Sequence, residues 1–92
     1  MDIRAIVRAV KQKIDNTRLY QAVDLALSGK WEEAHRIVQG MNGTHACWIH
    51  AVLHKIDGDL WNSKYWYRHA ARPFTEKEPK AELQEIRDSV PQ

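Results

Sequence analysis

The sequence predicts an all-α domain, a short array of about five to six helices, and three observations carry that expectation. Apolar residues recur at steps of three and four along most of the chain, the spacing that gathers them on one side of a helix. Glycines, a proline and a cluster of Asp, Asn and Thr interrupt the pattern at intervals of one helix length, as helix ends do. No stretch alternates with the period of two that a strand requires. Asn42-Gly43 is a hairpin-type dipeptide, but its flanks read as helix.

The first helix places Ile3, Ile6, Val7, Val10 and Ile14 on one stripe and exposes Arg4, Arg8, Lys11 and Lys13. Asp15, Asn16 and Thr17 are poor interior helix residues and good caps. They predict a break there, with residues 1–14 forming a separate N-terminal capping helix. The second helix buries Leu19, Ala22, Val23, Ala26 and Leu27, and Gly29 ends it. A third begins at Trp31, with Glu32 and Glu33 in the first turn, where carboxylates meet the positive end of the helix dipole. Ala34, Ile37, Val38 and Met41 continue its apolar side, so residues 18–41 form one hairpin.

Gly40, Asn42 and Gly43 make the next turn, and Thr44 is the expected N-cap of a fourth helix over His45 to Ile56. That helix is apolar over much of its circumference, through Ala46, Trp48, Ile49, Ala51, Val52, Leu53 and Ile56, which predicts a central position. Gly58 closes it and Asp59 caps a fifth helix from Leu60 to about Ala71, giving a second hairpin over 44–72. Pro73 marks the stop. A last, charged helix near Pro79–Ser89 carries Leu83, Ile86 and Val90 inward and makes 79–90 a C-terminal capping segment.

Ninety-two residues make one domain near the lower limit for a single core. Such a domain buries only about 60% of the surface of its unfolded chain, leaving little room for both a core and a deep cleft. That weighs against an enzyme acting alone. No apolar run approaches the roughly 20 residues of a membrane span. The start, MDIRAIVRAVKQK, has charges inside its apolar pattern and is no signal peptide.

Cys47 is the single cysteine, which excludes an internal disulfide and fits a reducing compartment, so a cytoplasmic protein is expected. The net charge of +2 divides into 11 basic against 7 acidic residues over 1–72, and 3 against 5 over 73–92. So weak an imbalance speaks against nucleic acid as the partner. Arg4, Arg8 and Lys11 read instead as a solvated helix face.

The two hairpins follow one plan. LALSGKWEEAHRIV and LHKIDGDLWNSKYWY each run from an apolar helix through glycine and a polar residue to an apolar anchor, with a small residue three further on. The matched positions are Gly29 and Gly58, Trp31 and Leu60, Ala34 and Ser63, Val38 and Tyr67, Met41 and Ala70. On these residues the chain resembles the tetratricopeptide and Sel1-like helical-repeat families over about residues 18–72. GDLWNSKYWYRHAAR is similar to the second half of a Sel1-like unit. Carried over, the turn glycine is Gly58, the small packing residue Ser63, the aromatics Trp66 and Tyr67, and the closing pair Ala70 and Ala71. Ala22 and Ala51 match the small residue of each first helix. The glycines stand 29 residues apart, against about 34 in a tetratricopeptide array. His50 and His54 occupy positions where that family has leucine and tyrosine. The resemblance implies a protein-binding module.

Two residue sets invite a functional reading. Cys47, His50 and His54 fall on one helix face, with Asp57 extending the stripe, and thiolate, imidazole and carboxylate are all metal ligands. The glutamate that accompanies paired histidines in zinc hydrolases is missing, since Ala51, Val52 and Leu53 intervene. No cofactor is therefore expected, and the stripe reads as polar residues at a hairpin interface, their imidazoles bonded to carbonyls. The alternative is a small metal-dependent or thiol enzyme using Cys47, His50 and His54.

The second set is the aromatic side of the fifth helix. Trp61, Tyr65 and Trp66, with Arg68 and Arg72 at the edge, form the expected binding surface for another protein or for a second copy, because Trp and Tyr dominate interface hot spots. The rival reading has the last helix fold over this side through Leu83 and Ile86.

Overall fold

The computed structural model describes residues 2–92, which form five α-helices and no strand. They are α1 (Ile3–Leu27), α2 (Trp31–Gln39), α3 (Thr44–Ile56), α4 (Leu60–His69) and α5 (Pro79–Ser89). Among these residues no helix is long and apolar enough to cross a membrane. The all-α expectation holds. α3 is the central helix, packed against each of the other four. Its Ala46, Trp48, Ile49, Ala51, Val52 and Leu53 are all buried, as its apolar circumference demands.

Two turns are built alike. Gly29 and Gly58 both adopt φ of +80°, the left-handed region that L side chains avoid. At the first, Lys30 N–H donates to the Leu25 carbonyl at 2.9 Å and Gly29 N–H to that of Ala26 at 3.1 Å. At the second, Asp59 bonds His54 at 2.9 Å and Gly58 bonds Lys55 at 3.2 Å, the same pair of helix-ending bonds. α4 ends the same way without a glycine. Arg72 bonds Tyr67, Ala71 bonds Arg68, and Ala71 itself takes φ of +57°. Ala34 and Ser63 are fully buried where each second helix crosses its first, and Ser63 Oγ donates to the Ala51 carbonyl at 2.7 Å.

Several expectations are corrected. The break at Asp15–Thr17 is absent, and α1 runs through it for 25 residues. The side chains meant to cap a helix end bond along the helix instead: Gln12 Nε2 donates to Asn16 Oδ1 at 2.9 Å, and Thr17 Oγ1 to the Lys13 carbonyl at 3.0 Å. The segment 1–14 is therefore no separate capping helix. From Asp2 to Ile14 every described residue is exposed, and the stripe expected to be buried stands in solvent: Ile3 is 73% exposed, Val7 60% and Ile14 54%. This arm extends the molecule to 48 × 25 × 21 Å. Leu60, the expected anchor of the second hairpin, is half exposed. Thr44 is the first residue of α3, with Gly43 at the cap position.

α5 lies against α1 and α3 through Leu83, Ile86 and Val90, all buried as expected. It also delivers Glu82, an acidic residue 1% exposed. Its carboxylate accepts from Trp48 Nε1 (2.8 Å), Tyr67 Oη (2.7 Å) and Lys55 Nζ (2.6 Å). Burial and this carboxylate push the Tyr67 hydroxyl well above its ordinary range, so it stays a donor. A buried carboxylate is tolerated because three donors surround it, one of them the paired Lys55 ammonium.

Candidate functional site

Helical spacing brings His50 and His54 together, one turn apart on α3, with ring centroids at 5.1 Å. Cys47 lies two turns from His54 and takes no part. It is half-buried against the core, and burial pushes its thiol up, away from the thiolate that a nucleophile or metal ligand needs. The third member comes from α2. His35 packs edge-on against His50 at 4.7 Å and against His54 at 5.3 Å. One nitrogen from each of the three rings lies within 4.8 Å of the other two.

Two tryptophans wall the cluster. Trp31 stacks on His35 at 4.7 Å, held by a hydrogen bond from its Nε1 to the Leu53 carbonyl at 2.6 Å. Trp66 stacks on His50 at 4.0 Å with the rings 11° apart. The expected imidazole–carbonyl bonds are absent. Among the described residues His45 is the histidine that makes a hydrogen bond, to Ser89. His54 Nδ1 is buried with no hydrogen-bond partner, and the Asp57 carboxylate stands 3.5 Å away. Burial lowers the His50 pKa to about 4, helped by His35 and His54, so this ring is neutral at pH 7. Burial and His54 also lower His35.

The aromatic surface expected on α4 divides. Trp61 is 72% exposed and stacks with half-buried Tyr65 at 6.1 Å. Trp66 instead turns inward as a wall of the histidine cluster. Arg68 is exposed, and Arg72 places its guanidinium 3.4 Å above the buried Trp48 ring, away from Trp61. α5 meets α4 through the Glu82–Tyr67 hydrogen bond but leaves Trp61 in solvent, so the rival covering of this side through Leu83 and Ile86 is not realised.

Sequence reasoning missed His35. The available signal was its place four residues after Trp31, on the same side of α2, but the partner helix it meets follows only from the hairpin register. It also missed the free arm, because an amphipathic stripe carries no statement of where its cover lies. Comparisons of the chain with protein-family models, curated proteins and solved structures return no match.

Proposed function

We propose that the chain is a noncatalytic helical module, of the helical-repeat type its turns resemble, that binds another protein through the arm of α1. The carrying observation is the uncovered stripe of Ile3, Ile6, Val7, Val10 and Ile14 on a helix exposed on all sides. Contiguous apolar surface of this kind marks interaction sites. Its spacing is that of a coiled-coil seam: Val7 and Ile14 take a positions, and Ile3 and Val10 take d positions. β-Branched side chains lose little rotamer freedom on burial, which favours a packed helix partner. Interfacial membrane helices carry aromatic anchors, and the four tryptophans of this chain all lie outside α1.

Charge selects the partner. The e positions beside the seam are Arg4, Lys11 and Arg18, and the g positions include Lys13. Pairing with a second copy sets these cations against one another, at e against e′ when antiparallel and at g against e′ when parallel. A partner helix with acidic flanks fits. The Trp61–Tyr65 pair offers a second, smaller face for the same partner. Cytoplasmic residence, expected from the lone cysteine, belongs to the same reading.

The probe is a helical peptide with leucine at a and d and glutamate at e and g. The full chain should bind it, more weakly as salt rises, and Val7→Asp with Val10→Asp should abolish binding while leaving the melting temperature unchanged. Sedimentation as a concentration-dependent dimer would replace this reading with self-association. Binding to anionic vesicles but not to the peptide would replace it with a lipid surface.

A further inference from the structure

We propose that His35, His50 and His54 bind one divalent transition ion of the zinc class, which ties α2 to α3. This goes beyond the binding role of the arm and is independent of it. The donor set is the first argument. Three imidazoles with no carboxylate among them suit zinc, copper or nickel and offer nothing to magnesium or calcium, which take oxygen ligands. Three histidines also leave one position of a tetrahedral ion open to solvent.

Geometry is the second. The three nitrogens lie within 4.8 Å of one another, and ligands about 2.0 Å from a tetrahedral ion stand about 3.3 Å apart. The difference is a rotation of side chains. His35 and His54 are half-buried, so two of the three rings have room to turn. The third argument is the orphaned His54 Nδ1, a buried polar atom with no partner in the protein. Ligation through Nε2 makes that nitrogen an N–H donor, and the Asp57 carboxylate 3.5 Å away is then its acceptor. Such a carboxylate behind an imidazole orients metal-bound histidines.

The test uses the untagged full chain, stripped with a chelator and titrated with zinc chloride. One equivalent should bind, and at about a hundredfold excess over Kd the melting temperature should rise by on the order of 10 °C. Magnesium chloride should do nothing. Cobalt(II) should give the visible bands of a tetrahedral site. His35→Gln, on a half-buried ring, and His54→Gln should each abolish the shift, whereas Cys47→Ser should keep it.

Histidine ring resonances of the unaltered chain supply a readout that needs no variant. Zinc should shift those of His35, His50 and His54 and spare His45 and His69. The proposal is overturned by absence of saturable zinc binding, by binding that survives His35→Gln, by binding lost in Cys47→Ser, or by zinc-responsive resonances belonging to His45 or His69.

Discussion

The two halves of α1 carry the same kind of pattern and meet opposite fates. Ile3, Ile6, Val7, Val10 and Ile14 repeat at helical spacing and stay in water, whereas Leu19, Ala22 and Val23 repeat at the same spacing and are buried. The docked half is packed against α2, α3 and α5. An isolated helix as short as the arm is marginal in water, because its first turn is costly to nucleate. Here the docked half is the nucleus, and Asp2 caps the far end by accepting from Arg4 N–H at 3.0 Å. Periodicity thus reports which face of a helix is apolar. Whether the cover comes from the same chain is a separate matter, decided by the rest of the fold.

The sharpest way to break this contrast is to delete the same chemistry from each half. Leu19→Ala should destabilise the chain by about 2–4 kcal/mol in urea unfolding, through lost burial and the cavity left behind. Val10→Ala should change stability by less than about 0.5 kcal/mol, since the side chain is already solvated and alanine is the better helix former. Equal losses would mean that the arm is covered in solution. Peptide binding should respond in the opposite order.

Acid should act on the body and spare the arm, which holds no histidine. In the metal-free chain the His50 pKa is lowered from 6.5 to about 4, so the unfolded state binds the proton more readily. Stability is then at its full value above pH 6.5 and falls as pH drops from there to about 4, by a few kcal/mol in all. His50→Leu should flatten that slope when unfolding is followed as a function of pH with chelator present. An unchanged slope would remove the buried neutral imidazole from the account.

The smallest effects compare two turns of the body. Gly58→Ala should cost about 1 kcal/mol, since φ of +80° is strained for alanine even though no atom crowds the added methyl. Ala71→Gly, at φ of +57°, should gain up to about 1 kcal/mol by relieving the same strain. Thermal unfolding resolves both, and matching signs in the two variants would show that left-handed geometry does not govern these turns.

The helices were legible in the sequence because their evidence is local: spacing within one helix, a glycine two residues past its end, a proline at its start. The inward faces of α3 and α5 followed, since an all-round apolar helix must be central and Leu83, Ile86 and Val90 share one side. The pairing of His50 with His54 was legible for the same reason. Cys47 was the wrong third member because one face of a helix extends along its axis, and residues two turns apart do not converge.

What only the tertiary structure decided lies between helices. His35 joins the cluster because the hairpin turn sets α2 against α3 at one register. Glu82 is buried because α5 crosses where Trp48, Lys55 and Tyr67 present their donors together. Asp15–Thr17 stay helical because packing of the docked half outweighs a weak local preference for capping. By itself the sequence determined which residues are helical and which faces are apolar, since both depend on neighbours a few positions away. The convergence of side chains from different helices, and the exposure of the arm, depend on distances across the fold that no local spacing encodes.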